Sequence, residues 1–484
     1  MEDSKKVVTR FAPSPTGFQH IGGIRTALFA YLWARKNDGT FILRIEDTDK
    51  ARSVEGSIEH LQESLSWVGI DWEYGPDKPG PFGSCIQSER LDTYIEWAQK
   101  LVEKGLAYPD PYTPEEVEAF RQKAQEEKRA FLFRDHRPET FGAWDGKTAL
   151  RFKVSELKRY EWHDEARGAL SAGPEALDDF ILIKADGYPT YNLAHIVDDY
   201  NMGVTHIFRS DEWISSVPRF LSLYDAFEIE HPVFVTLPPI LRSDRTKKLG
   251  KRDGAKDVLD YRKEGYLPEA MINYLALVGW NPGTDQEIFS LQEMIEQFAP
   301  GRIQKSGAVA NEEKLDWINR EHIKLLSSEA FWQHAYPFMP PWIDKEAHGA
   351  ALQKIERLLR DRIEKFSDIE TLFAAGEFDY FFNEPAVDAG MLVWKTLKNE
   401  ADGLEKTRGY LTHAASLLTE VADKDWNIET LKEILMPYAE QEGKGNVLWP
   451  LRVSLSGKEK SPDPFELMSL LGKEVTMKRI APNQ

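Results

Sequence analysis

The sequence predicts a multidomain chain, α/β up to about residue 321 and all-helical beyond it. Three observations carry this. A strand, a Pro/Gly-punctuated loop and a helix follow one another at the N-terminus. Strand patterns return within residues 148–200 and 233–237. From about residue 321 strand signals nearly vanish and leucines recur at helical spacing. At 484 residues, 42% of them hydrophobic, the chain exceeds one compact domain and has apolar residues for several cores. A prior of about three domains follows.

Lys6 to Ala12 reads as a buried strand with Val7, Val8 and Phe11 as apolar members, and Pro13 and Pro15 stop it. Gly17 permits a tight turn. Leu28, Leu32 and Arg35 then recur at helix spacing, and Asn37-Asp38-Gly39 ends the run. A second strand, Thr40 to Ile45, delivers Glu46-Asp47-Thr48-Asp49. His20, Gly22 and Gly23 therefore lie where a strand gives way to a helix N-terminus, an end whose N–H groups favour phosphate. Two glycines without Cβ let a flat base or a ribose approach the backbone. A lone His-X-Gly-Gly is more often an ordinary β-loop-α turn.

Gly75 to Gly83 is a Pro/Gly loop, and residues 114–130 form a charged helix with Pro114-Glu115-Glu116 as its first turn. Ala149 to Val154, Phe180 to Ala185 and Pro189 to Ala194 read as strands, in a block inserted into the nucleotide-binding part. Val233 to Leu237 is a further strand. After it, Arg242, Arg245, Lys247, Lys248, Lys251, Arg252 and Lys256 crowd one stretch, with Ser243, Asp244 and Gly250 marking a loop. A cationic loop can close over a triphosphate and offset the charge that develops as pyrophosphate leaves. The alternative is a solvated basic face, which carries less weight in a chain this acidic. The two segments, about 230 residues apart, together indicate a chain that activates something with ATP.

Composition excludes other classes. No stretch approaches the roughly 18 apolar residues of a membrane span, and Met1-Glu2-Asp3-Ser4-Lys5-Lys6 is no signal peptide. One cysteine, Cys85, rules out an intramolecular disulfide and suits a reducing cytoplasm. A net charge of −19 argues against non-specific nucleic-acid binding. It leaves room for a specific RNA partner wherever basic residues gather on one face.

With these segments in view, the chain resembles class I aminoacyl-tRNA synthetases of the bacterial glutamyl type. His20-Ile21-Gly22-Gly23 resembles the first ATP motif of that family, and Lys248-Leu249-Gly250-Lys251-Arg252 the second. Arg44 to Asp49, Gln87-Ser88-Glu89-Arg90, Asp186 to Ala194, Val197-Asp198-Asp199, Gly203 to His206, Gly265 to Ala270 and Leu277 to Trp280 also match. The tail, Phe465 to Ile480, resembles the family's last helical segment, so the resemblance spans nearly the whole chain.

The resemblance implies a Rossmann-like doubly wound parallel sheet in halves 1–100 and 196–246. Between them it places an inserted α+β acceptor-end-binding domain at 101–195. A stem-contact domain with the mobile ATP loop at 247–322 and an all-helical anticodon-binding region at 323–484 follow. It further implies a cytoplasmic, monomeric ligase. This enzyme would use ATP with Mg²⁺ to place L-glutamate on tRNA(Glu), with tRNA(Gln) left open as a second acceptor.

His20, Lys248 and Lys251 are the implied catalytic residues, and Gly22, Gly23 and Arg252 join them around ATP. Arg10, Ala12, Ser14, Glu46, Tyr191 and Arg209 are carried over as the glutamate pocket, with Glu46 facing the ammonium group. A buried Arg10 could bind a side-chain carboxylate bidentately. The residues alone leave that about even with an edge-strand surface arginine, and leave Glu46-Asp47-Thr48-Asp49 open to a helix-capping role. Trp213 and His206 read as structural. Arg360 and Arg362 stand where the family meets anticodon bases, against a nearly equal reading as a solvated helical face.

Four positions depart from the pattern. Gly250 replaces a usual serine, Cys85-Ile86 replace an aromatic residue and an arginine, and His195 lies where a neutral residue is usual. The inserted domain has no cysteines, so no zinc is expected. A sister enzyme that charges glutamine is disfavoured by the helical C-terminal part. A non-catalytic RNA-binding paralogue is disfavoured by intact His20, Lys248 and Lys251.

Overall fold

The computed structural model describes residues 6–242, 244, 247–249 and 256–483. The expected ATP contacts Lys251 and Arg252, and the departure Gly250, lie outside the described residues. By internal contacts the chain forms two units, 1–322 and 323–484.

The first unit is built on a six-stranded sheet. Its strands are β1 (Val8–Phe11) and β2 (Thr40–Leu43), then β5 (Tyr160–Asp164) and β6 (Gly168–Ala172), then β8 (His206–Ser210) and β9 (Val233–Leu237). Between them in sequence, β3 (Ala107–Pro109), β4 (Leu150–Phe152) and β7 (Ile181–Ile183) make a separate antiparallel sheet in the order β3-β4-β7. The large sheet has the order β2-β1-β8-β9-β5-β6, parallel apart from the β5–β6 hairpin. β1 therefore has neighbours on both sides, so Arg10 does not sit on an edge strand.

Helix Ile21–Lys36 covers β1 and turns Ile24, Ala27, Leu28, Phe29 and Leu32 fully inward. Thr9 fixes the contact by donating its hydroxyl to the Ala30 carbonyl at 2.8 Å. The charged helix runs Pro114–Glu126 with a capping box between Thr113 and Glu116, and ends before Lys128, whose φ is 54°.

Two differences from the sequence reading bear on the site. The expected strand Pro189–Ala194 is instead the start of helix Tyr191–Asn201. Pro189 only bridges Ile183, and the Thr190 hydroxyl donates to the Ile181 carbonyl at 2.6 Å. Leu193, Ala194, Ile196 and Val197 then share one buried helical stripe with Tyr94, Leu150, Phe152, Leu182 and Phe220. Each of these larger side chains contributes ~1.5–3 kcal/mol by leaving water.

The second difference is the β5–β6 hairpin, which falls inside 101–195 but extends the large sheet beyond β9. Buried Asp164 fixes it there, accepting from the Thr236 hydroxyl at 2.6 Å and from the Ala166 and Arg167 amides at 3.0 and 2.9 Å.

The second unit is helical. Helices Gly403–Thr419, Ile428–Glu442, Lys444–Ser456 and Pro464–Leu471 bury Leu411, Leu418, Leu431, Leu435, Leu451 and Leu467. No described helix is long and apolar enough to cross a membrane.

Candidate active site

The chain leaves β1 for β2 on one side and leaves β8 for β9 on the other, so the sheet order reverses between β1 and β8. Crevices at the carboxyl ends of parallel strands form at such switch points. A cavity of about 520 Å³ lies there, lined by Arg10 to Ser14 at and beyond the end of β1 and by Phe208 to Ser210 on β8. Glu46, Tyr191, Glu212 and Trp213 complete its walls. The six residues expected to hold the amino acid, Arg10, Ala12, Ser14, Glu46, Tyr191 and Arg209, thus come together around one cavity.

Their charges are arranged unevenly. Arg10 donates from Nε and Nη2 to the two carboxylate oxygens of Asp199, at 3.0 and 3.5 Å. Arg44 is fully buried and donates to Asp199 at 2.7 Å and to Glu46 at 3.1 Å. Arg209 is 6% exposed, and its two terminal nitrogens have no hydrogen-bond partner among the described residues. Its guanidinium carbon lies 5.0 and 4.8 Å from the rings of Phe220 and Phe234, and the side chains of Tyr191 and Tyr224 favour its charge. Arg10 and Arg44 are paired with Asp199 and Glu46, Arg44 also lies 3.9 Å from Asp198, and Arg209 has no carboxylate partner among the described residues.

Protonation follows the same geometry. Burial outweighs the pull of Arg44 and Arg10 on Glu46 and raises its carboxyl to about 7. Asp199 is buried too, but Arg10 and Arg44 hold it down at about 2. Burial lowers Arg209, because its charge has little to offset desolvation. His195, the unusual residue at its position, is held neutral by burial, at about 3. It bonds the Tyr191 carbonyl through Nδ1 at 2.6 Å and stacks on the Tyr191 ring at 4.4 Å. Trp213, expected to be structural, also packs on Tyr191, with ring centroids 4.3 Å apart, and lines the cavity.

His20 is the N-cap of helix Ile21–Lys36, and its Nδ1 accepts from the Gly22 amide at 3.0 Å. A Cβ on Gly22 would lie 2.8 Å from His20 Cε1, so the glycine makes room for the imidazole. The space beside Gly23 is taken by the Gln19 carboxamide. Of the second ATP segment, Lys247 to Leu249 are described. Leu249 donates to the Ile240 carbonyl at 2.7 Å and Arg242 to the Lys247 carbonyl at 3.0 Å, closing a hairpin onto Ile240–Leu241. Lys248 pairs with Glu212 at 2.9 Å. Burial would raise Glu212, but Lys248 and the Ser210 hydroxyl hold it low.

The helix-capping role left open for Asp47 and Asp49 is not what they do: Asp49 precedes the helical turn Lys50–Arg52 without a side-chain cap bond. Asp47 accepts from the Ser88 amide at 2.8 Å and Asp49 pairs with Arg52 at 2.6 Å. Among the described residues no group of three or more His, Cys, Asp or Glu side chains is placed to hold a metal ion.

In the second unit, Arg360 and Arg362 end helix Gly349–Arg362. Arg360 donates to Glu356 at 2.8 Å and to the carbonyls of Ile323 and Ser327 at 2.7 and 3.1 Å, over the Phe331 ring. These internal bonds leave it little capacity for a partner. Arg362 pairs with Glu377 at 2.7 Å and is more exposed.

Sequence reasoning quoted Arg44, Asp198 and Asp199 within matching motifs but gave them no role, and it passed over Glu212. The signal for Asp198 and Asp199 was their spacing from Tyr191 and His195, which shares a face only on a helix.

The model for the catalytic domain of class I tRNA synthetases (E and Q) matches residues 6–317, and that for an anticodon binding domain matches 330–482. A glutamate–tRNA ligase of Clostridium botulinum is 39% identical over 99% of this chain and 98% of its own. One of Clostridium kluyveri is 40% identical over 98% and 97%. The structure of a glutamate tRNA ligase from Elizabethkingia meningosepticum, in complex with its amino acid, superposes with a TM-score of 0.82 at 34% identity, covering 99% of both chains. The chain belongs to the class I glutamate–tRNA ligases.

Proposed function

We propose that the chain joins L-glutamate to the 3′ end of tRNA(Glu) in two steps. The α-carboxylate attacks the α-phosphorus of ATP, and the bond to pyrophosphate breaks. A terminal ribose hydroxyl then attacks the adenylate carbonyl, and AMP leaves. Magnesium enters with the triphosphate and neutralises part of its charge. Catalysis is alignment plus charge stabilisation.

The observation that carries the reading is the buried Arg209 guanidinium, which has no carboxylate partner among the described residues. A buried charge without a partner costs several kcal/mol, so it persists where a ligand supplies the counter-charge. The γ-carboxylate of glutamate balances the pocket, whereas the amide of glutamine leaves Arg209 unmatched. Arg10 shares that carboxylate, Tyr191 donates to it, and Ser14, the Ala12 backbone and Glu46 meet the α-amino end. His20, Gly22 and Gly23 take the nucleotide, with Lys248, Lys251 and Arg252 around the phosphates. Residues 101–195 and 247–322 meet the acceptor end and stem, and 323–484 the anticodon, where Arg362 is the better placed of the two arginines. The protein acts as a cytoplasmic monomer.

Pyrophosphate exchange dependent on glutamate, and charging of individually purified tRNAs, test this reading. Charging of tRNA(Gln) as well as tRNA(Glu) would widen the acceptor range. Exchange driven as well by glutamine as by glutamate would overturn the pocket assignment.

A further inference from the structure

Asp199 occupies an unusual place among the buried charges. It is fully buried on helix Tyr191–Asn201, accepts from both Arg10 and Arg44, and does not itself line the cavity. Its neighbour Asp198 is equally buried but bonds mainly elsewhere, accepting from Gln87 at 2.9 Å, Arg90 at 2.9 Å and the Tyr94 hydroxyl at 2.8 Å, with Arg44 Nε more distant at 3.9 Å. Two adjacent carboxylates thus divide most of their bonds: one ties the helix to residues 87–94, the other holds Arg10, which lines the amino-acid cavity.

We propose that Asp199 is the positioning residue that sets selectivity for a carboxylate side chain over an amide. Asp199 grips Arg10 along its Nε–Nη2 edge and leaves Nη1 for the ligand. This fixes the guanidinium plane, which is what a bidentate or shared carboxylate contact requires. Asp199 also binds Arg44, and Arg44 holds Glu46 at 3.1 Å, so one carboxylate orients the groups assigned to both ends of the substrate. Its charge also sets the electrostatic balance. With Asp199 ionised, Arg10 and Arg44 have a counter-charge and Arg209 is left for a substrate carboxylate. Without it the pocket is over-charged and Arg10 is free to turn. The inference rests on the reading of this cavity as the glutamate pocket.

The test is Asp199→Asn in the full-length enzyme, beside Asp198→Asn. The readouts are glutamate-dependent pyrophosphate exchange, ATP affinity and melting temperature. Asp199→Asn is expected to raise the glutamate KM about 30-fold while kcat at saturation changes less than about threefold, as misaimed ligand contacts do. Preference for glutamate over glutamine should fall about tenfold, with ATP affinity unchanged. Asp198→Asn should lower the melting temperature without moving the glutamate KM.

A folded Asp199→Asn variant with a glutamate KM within about threefold of wild type overturns the proposal. Equal effects from the two asparagine variants do so as well, because they mark a merely structural carboxylate. If Asp199→Asn does not fold, Asp199→Glu decides. Its extra methylene displaces Arg10 and should raise the glutamate KM about tenfold, and a wild-type value overturns the proposal. Arg209→Leu separates this from the underlying reading: an unchanged glutamate KM there would refute the pocket itself, whereas failure of Asp199 alone would leave the Arg209 effect in place.

Discussion

Glu212 Oε2 lies 2.9 Å from Lys248 Nζ, joining the wall of the cavity between β1 and β8 to the described arm of the loop proposed to hold ATP. Both side chains are about half exposed. An exposed pair of this kind contributes ~0–1 kcal/mol. Triphosphate, with its larger charge, should displace Glu212 readily. Glu212→Gln is therefore expected to shift the ATP KM less than about fivefold. Lys248→Ala and Lys251→Ala should each slow adenylate formation by ~2.7–4 kcal/mol of barrier, because their charge acts on the departing pyrophosphate. Single-turnover exchange measures this, and wild-type rates in both alanine variants would remove the loop from catalysis.

Arg209→Leu should have opposite effects on stability and function. Burial disfavours the charged Arg209, so the folded protein without ligand carries that cost. Replacing the guanidinium with an apolar side chain should raise the melting temperature of the free enzyme. Glutamate binding should be lost at ordinary concentrations, since the substrate carboxylate would enter a dry pocket unpaired. Calorimetry should find ATP binding retained. A fall in melting temperature would show that Arg209 is paired in the free state.

Glu46 should impose a pH dependence on glutamate binding. Its carboxyl is raised to about 7 by burial. It is uncharged below that pH and becomes able to pair with an ammonium group above it. The glutamate KM should fall as pH rises from about 6 to 8, and Glu46→Gln should flatten the profile at a high KM. The linked stability runs the other way. A raised acid favours the folded state while protonated, so its contribution is full below the ordinary carboxylate value of 4.5 and is lost as pH rises towards about 7. Urea titrations of Glu46→Gln against wild type over this range check the sign.

Gly22→Ala isolates the imidazole of His20. A Cβ 2.8 Å from His20 Cε1 forces the ring off the Gly22 amide. The lost cap costs ~0.5–2 kcal/mol, and alanine returns up to ~1 kcal/mol of helix propensity. Stability should change by less than about 1 kcal/mol while turnover falls, because the ring no longer faces the nucleotide. An enzyme with full turnover would show that His20 orientation is irrelevant to ATP.

Arg360 and Arg362 should separate in their effects. Arg360→Gln removes bonds to Glu356, Ile323 and Ser327 and should destabilise residues 323–484 without altering preference among anticodons. Arg362→Gln, whose partner is the exposed Glu377, should raise the KM for tRNA and leave kcat nearly unchanged. Charging of anticodon variants by the two mutants discriminates the roles, and a loss of anticodon preference in Arg360→Gln would reverse them.

The local sequence already determined much of this protein. Proline and glycine punctuation located β1, its helix and His20 at the cap, because these residues restrict φ wherever they stand. Leucine spacing determined the helical second unit, and the two segments proposed to hold ATP, with the proposed pocket residues, were legible as motifs. Tertiary structure decided the rest. Helix Tyr191–Asn201 was hidden because Pro189 and Thr190 continue the preceding strand pairing and the buried stripe begins only at Leu193. Without that helix, Tyr191, His195 and Asp199 could not be placed on one face. Arg10 was undecidable between surface and pocket until β8 took its place beside β1, some 195 residues later in the chain. The buried balance of Arg10, Arg44 and Arg209 against Glu46 and Asp199 arises from segments distant in sequence, and a charge acquires its partner and its burial only when the chain is folded.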